Sequence, residues 1–394
     1  MKDIWKESLD FGKKINRKKI VISIIVLILI VLIAIAMIIY HVNKPVREWI
    51  DVNIFRKEVM QDNVLTIELK ENQNSSVYAF NKYIGILNKN KFTMYGNTGG
   101  KEKELDIQIS DPIWSSSNRF LAIAEKTGKK LYMLTDKEIT WEDEVEGNIS
   151  QIYINKNGYV ALIITDTSYK SVVKMYSPQG KPLFNTFLSS TRAIDVSVSN
   201  DNKYLAIAEV DTSGTIVQSS IRIMSIDKAT TDPTNSLENT YKAQENKLIT
   251  CIKYQDKNKL VCRYTDSIDE ISNGEFTNLI NNQNKKVTFQ SIDLANNACS
   301  VEEKSSGLFT ADSLVSIVNT DNGQVKEYTA DSVTKELYTS GDIIALNLGT
   351  EVEFINTDGW LVKRYVANQE ITNIVVSNSI AGIIYRDKIE IVNL

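Results

Sequence analysis

Histidine is nearly absent from this chain: 394 residues contain one, His41. It stands at the edge of an apolar run, so Ser-His-Asp triads, Cys-His dyads and histidine-built zinc sites have nothing to form from. Cysteine is scarce too. Cys251, Cys262 and Cys299 are odd in number, share no C-x-x-C spacing and fall in strand-like segments, which argues against a zinc or redox centre. A tight hairpin would let Cys251 and Cys262 face each other as a disulfide in an exported domain; small buried hydrophobes are the simpler reading. Gly-rich phosphate loops, GxSxG elbows and Rossmann fingerprints are missing from the sequence. An apolar fraction of 43%, a charged fraction of 24% and a net charge of -4 exclude a disordered tail, a collagen-like fibre and a disulfide-stapled miniprotein.

The charge is unevenly placed. Residues 1–44 carry eight basic and three acidic side chains, so the remainder holds nine more acids than bases. Such a surface repels phosphate and argues against nucleic acid as a partner. Its acidic run Glu142-Asp143-Glu144-Val145-Glu146 lacks the alternating oxygen ligands and central Gly of a calcium loop and reads as a solvated outer strand. Asp358-Gly359-Trp360 evokes the turn of a quinone-enzyme repeat, but it occurs once, and Asp-Gly is an ordinary hairpin turn. No cofactor, metal or catalytic residue is expected.

What the sequence does contain begins with one long apolar run. From Ile20 to Tyr40 it reads IVISIIVLILIVLIAIAMIIY, with one Ser and no charge. A helix of about 20 such residues covers the roughly 30 Å hydrocarbon core of a bilayer, and no polar face marks it as a soluble core helix. Lys13, Lys14, Arg17, Lys18 and Lys19 precede it, whereas Lys44 and Arg47 beyond it are offset by Glu48 and Asp51. The positive-inside rule then places the N-terminus in the cytoplasm and the rest outside, at the plasma membrane. A cleaved signal peptide is the competing reading, because Ala34-Ile35-Ala36 resembles a cleavage site; the apolar run continues past it, which favours an uncleaved anchor. The expected organisation is a cytoplasmic stub over 1–19, a transmembrane helix over 20–40, a juxtamembrane helix or linker over 41–62 and an extracytoplasmic domain over 63–394. In the linker, Pro45 suits a first helical turn, and Val46, Trp49, Ile50, Ile54 and Val59 fall near one face.

Beyond residue 63 short strands recur, bounded by Asn, Asp, Gly and Ser. The plainest repeat is SSSNRFLAIAE, ending at Glu125, against VSNDNKYLAIAE, ending at Glu209. Weaker copies begin at Tyr83, Tyr159, Leu260, Ile343 and Ile380, and the spacing leaves room for an unmatched one near residue 300. The period is about 42 residues, each copy followed by another hairpin. Four strands per repeat describe a blade of an all-β, WD40-like propeller, since one such sheet cannot bury both faces alone. Eight blades fit the count best, and seven also fit, because the polar stretch TDSIDEISNGEFTNLINNQNKK reads as an insertion that breaks the spacing; KATTDPTNSLENTYKAQEN reads as an inserted loop. The chain ends on KIEIVNL, the third strand of a blade lacking its fourth. The segment Val64–Lys70, VLTIELK, belongs to no complete blade, and pairing the two would close the ring.

The run SNDNKYLAIAEVDTSGT from Ser199, IALNLG followed by FINTDGWLVKRY, and the closing SIAGIIYRDKIEI resemble a domain-of-unknown-function family of single-pass, propeller-like proteins from anaerobic low-GC Gram-positive bacteria. The resemblance runs from the juxtamembrane segment to the end and implies location and architecture without an activity. The expected function is that of a binding or scaffold ectodomain engaging a protein or cell-envelope ligand through one rim of the propeller. The alternative is an extracytoplasmic hydrolase or lyase that uses carboxylates alone on an envelope glycan. A convergence of Asp, Glu, Arg and Tyr at the channel mouth would favour the enzyme; a mixed patch would favour the binder.

Overall fold

The computed structural model describes residues 17–42, 46, 49–50, 54, 64–69, 75–244, 247–255, 259–272, 274–305 and 311–394. The chain divides into two units, Met1–Lys57 and Glu58–Leu394.

In the first unit, Arg17–Val42 form one helix of 26 residues. Its described side chains point into solvent, with Ile22 60% and Met37 62% exposed. Among the described residues no helix is long and apolar enough to cross a membrane. Ile20–Tyr40 is helical, as expected. The expected stub, apart from residues 17–19, lies outside the described residues, as does most of the expected juxtamembrane helix, where Ile54 N–H donates to Ile50 O at 2.9 Å.

The second unit is built from eight four-stranded antiparallel sheets. Numbered from the first complete sheet, blades 1 to 7 span residues 75–106, 112–144, 148–188, 192–242, 249–281, 287–330 and 336–366. Blade 8 takes Asn373–Val376, Ile380–Ile384 and Lys388–Asn393 from the C-terminus and Leu65–Glu68 from the other end of the domain. Leu65 pairs with Ile391 and Ile67 with Ile389, so the ring closes as the two unmatched sequence segments require.

Each repeat copy is the second strand, b, of its blade: Tyr83–Asn88, Phe120–Glu125, Val160–Thr165, Tyr204–Asp211, Leu260–Tyr264, Ile343–Asn347 and Ile380–Ile384. The unmatched copy is Asn297–Ser305. Strand b is apolar on both faces because each blade packs against two neighbours. Phe120–Glu125 shows this directly: Ala122 and Ala124 join the core shared with blade 3, and Leu121 and Ile123 the core shared with blade 1. Outermost strands alternate or are polar throughout. In Ile139–Glu144 the acidic run forms such a solvated edge, as expected.

Two expectations need correction, and the cysteine alternatives are decided. The polar stretch after Thr265 is no insertion: Ser267–Ser272 and Glu275–Asn281 are the third and fourth strands of blade 5, and the composition is polar because the last strand faces water. The second presumed loop contains a helix, Ile226–Thr231, whose N–H at Lys228 is capped by Ser225 and which buries Ile226 and Ala229 in the core between blades 3 and 4; Leu237–Lys242 then completes blade 4. The cysteines are all free. Cys262 lies opposite Ile252 rather than Cys251, which puts the two thiols on opposite faces of the hairpin.

Candidate functional site: the channel mouth

The first strands, a, line the central channel and all run toward the same face, so the residues ending them converge there. Among the described residues, five a–b turns reverse the chain through a residue at positive φ: Asn81 (51°), Asn118 (54°), Gly158 (88°), Asn202 (61°) and Gly341 (58°). The sequence ahead of each repeat copy is therefore rich in Asn and Ser, and those residues fall at the mouth.

Strand a has no partner on its channel edge, and its backbone groups there need other bonds. Side chains from neighbouring blades supply them. Ser115 accepts from Ile154 N–H at 3.2 Å, Ser197 from Tyr254 N–H at 2.9 Å, and the Asp195 carboxylate from Ile252 N–H at 2.8 Å. Similar bonds cross the other interfaces. Tyr153 Oη accepts from Ser197 at 3.1 Å, Gln255 Nε2 donates to Asn297 O at 2.8 Å, and Ser291 meets Thr339 at 2.6 Å. Asn378 Oδ1 accepts from Asp342 N–H at 3.4 Å, and across the closure Ser377 donates to Asn81 O at 2.7 Å. With Ser116 donating to Ala79 O at 3.5 Å, a polar belt runs around the channel.

Above the belt lies a cavity of about 590 Å³ to which all eight blades contribute, within the range of roughly 300–1,000 Å³ of ligand pockets. Among the described residues, Asp293 is the one carboxylate in its lining. It is held by Lys253, whose ammonium lies 3.1 Å from Asp293 Oδ1 and also reaches Asp293 O at 3.2 Å. Burial pulls the Lys253 ammonium down, but the Asp293 charge and the Tyr153 and Cys251 groups outweigh it and leave it above its ordinary value. Burial raises Asp195, below the mouth, to about 6 despite its bonds to Ile252, Cys251 and Val196. The Cys251 thiol is pushed well up by burial and by Asp195 and Asp293, which makes it a poor nucleophile. Among the described residues no group of His, Cys, Asp and Glu is placed to hold a metal ion.

Trp114, on strand a of blade 2, is 40% exposed in this cavity. Its ring stands edge-on to buried Tyr78 at 5.4 Å and 79°, which fixes the indole. Sequence reading assigned no residue to this site, because the eight strand ends that form it are scattered over 300 residues of chain. The available signal was the Ser and Asn preceding each repeat copy.

Comparison with known proteins agrees with this architecture. Residues 57–394 match the family of unknown function DUF5711. The chain belongs to that family. No curated protein matches. Among solved structures, Chaetomium thermophilum Sqt1, crystallised bound to the N-terminus of ribosomal protein L10, superposes with a TM-score of 0.51 at 10% identity, covering 84% of this chain and 100% of Sqt1. BamB from Moraxella catarrhalis gives 0.48 at 15% identity, covering 84% and 96%. AztD of Citrobacter koseri gives 0.47 at 11% identity, covering 79% and 91%. At such identities the likeness is one of fold, and it leaves the DUF5711 chain's ligand to be argued from its own residues.

Proposed function

We propose that this DUF5711 protein is a membrane-anchored, extracytoplasmic binding propeller that takes a protein or cell-envelope ligand at its channel mouth and does not turn it over. The observation that carries this reading is the lining of the mouth. Glycoside chemistry by carboxylates needs two acids flanking one bond, about 5–10 Å apart. Among the described residues one lining carboxylate is present, and Lys253 already occupies it. Apart from Lys156, the rest of the described lining is hydroxyl, amide, aromatic and aliphatic, which suits recognition.

For the anchor, support comes from the uncharged run between Ile20 and Tyr40, its basic N-terminal flank and the exposed apolar side chains of the helix that contains it. A photo-crosslinking residue at Ser379, in the mouth, is expected to capture an envelope component in intact cells, and one at Lys89, in a b–c turn of the opposite face, is not. Equal capture from both positions would refute the site. An alkaline phosphatase fused after Leu394 is expected to be active; activity of a cytoplasmic reporter there instead would refute the orientation. Mass spectrometry after incubation with envelope fragments tests the absence of turnover. Products that vanish in Asp293→Asn would overturn it.

A further inference from the structure

We propose that the ligand class at this mouth is an uncharged glycan, with Trp114 as the platform for a pyranose ring and the turn amides of blades 1 and 2 as its hydrogen-bonding edge; the assignment rests on the binding reading above. The polar groups of the mouth fall into two sets. Most belong to the belt and are spent on backbone groups of neighbouring blades. On blades 1 and 2, however, the side chains of Asn81, Ser117 and Asn118 and the indole N–H of Trp114 make no hydrogen bond among the described residues, although all four line the cavity. They form one arc: two amides and a hydroxyl, each donor and acceptor, beside a half-exposed indole held in place by Tyr78.

Such an arc matches a sugar on both of its sides. A pyranose presents an apolar C–H face to an aromatic ring and a rim of hydroxyls that donate and accept. The charge pattern agrees: the Lys253 ammonium and the Asp293 carboxylate satisfy each other, and Lys156, the other described charged residue of the lining, has an interaction of its own. A peptide is the less fitting occupant. The belt has capped strand-edge N–H groups that a peptide would need for strand addition, at Ile154, Ile252 and Tyr254.

Asn81 and Asn118 allow a clean test, because glycine adopts their positive φ without strain and keeps the turn while removing the amide. The full chain is purified in a detergent without a sugar headgroup and screened on an array of uncharged oligosaccharides that includes chitotetraose and cellotetraose. Tryptophan emission is compared with Trp114→Phe to isolate this indole. Binding is expected to perturb Trp114 and to weaken about tenfold in Trp114→Ala and about threefold or more in each of Asn81→Gly and Asn118→Gly, with melting temperatures of the glycine variants within a few degrees of wild type. The order of chitotetraose and cellotetraose tells acetamido-bearing from plain glycans. If no oligosaccharide binds, and phage-displayed peptides selected on the wild type lose binding in the same variants, the glycan assignment falls and the channel reading stands. If oligosaccharides bind but no mouth variant weakens them, both fall.

Discussion

Ring closure is the feature of this fold whose energy can be worked out most directly. Consider replacing residues 64–69 by a Gly/Ser segment of equal length, so that the tether survives and the strand Leu65–Glu68 does not form. Leu65, Ile67 and Leu69 are partly buried against Ala79, Ile84, Ile86, Ile389 and Ile391. At about half of the ~1.5–3 kcal/mol for fully burying an aliphatic side chain, these three contribute roughly 3–4 kcal/mol. The four-residue ladder to Lys388–Ile391, with the bond from Leu69 N–H to Asp387 O, adds about 2 kcal/mol at the low end of net hydrogen-bond values. The total of about 5 kcal/mol is a large share of the ~5–15 kcal/mol by which a domain is stable. Guanidinium melts should show a lower midpoint, and amide exchange at Ile389–Val392 should accelerate a hundredfold or more, with strand b of blade 4, across the ring, least affected. An unchanged midpoint with full protection of Ile389–Val392 would refute the closure argument.

Other variants probe the belt and the blades. Because Asp195 titrates at about 6 in the folded protein and near 3.8 unfolded, its neutral form favours folding: that contribution is complete below pH 4 and is lost as pH rises through 6. Roughly 3 kcal/mol is involved; Asp195→Asn should flatten the pH dependence of urea midpoints between pH 4 and 7, and an unaltered slope would show that Asp195 is not its source. Glu209 is 2% exposed and receives Arg222 Nε at 2.9 Å together with the Thr191 hydroxyl. Arg222→Leu should cost about 3 kcal/mol or more by stranding the carboxylate, and Arg222→Leu/Glu209→Leu should regain much of it; a double variant as unstable as the single one would contradict this. A Cβ on Gly85 would lie 2.4 Å from Phe92 Cζ, so Gly85→Ala should lose about 1–3 kcal/mol in a thermal melt and recover when combined with Phe92→Leu. No rescue would mean that the ring is not the obstacle.

The sequence by itself settles the architecture because a propeller is quasi-one-dimensional. Each repeat copy is a strand buried on both faces, and this demand is local enough to appear as FLAIAE, YLAIAE or IAGII wherever a blade occurs. The unmatched ends were legible for the same reason, since a lone alternating strand and a three-stranded blade each leave an edge that must be covered. Outer strands were harder to read. Glu275–Asn281 is polar because water covers its far side, and composition alone could not tell it from a loop. Divergence between copies also needs the tertiary structure: Gly85 stands where the strongest copies have Ala because the Phe92 ring occupies the space of a Cβ.

The mouth was decided by tertiary structure alone. Asn81 and Asn118 are 37 positions apart and Ser377 is almost 300 from Asn81, yet circular closure brings all three to one rim. Each of them looks like an ordinary turn residue in the chain. Only the ring determines which are consumed in bracing neighbouring blades and which are left facing the cavity.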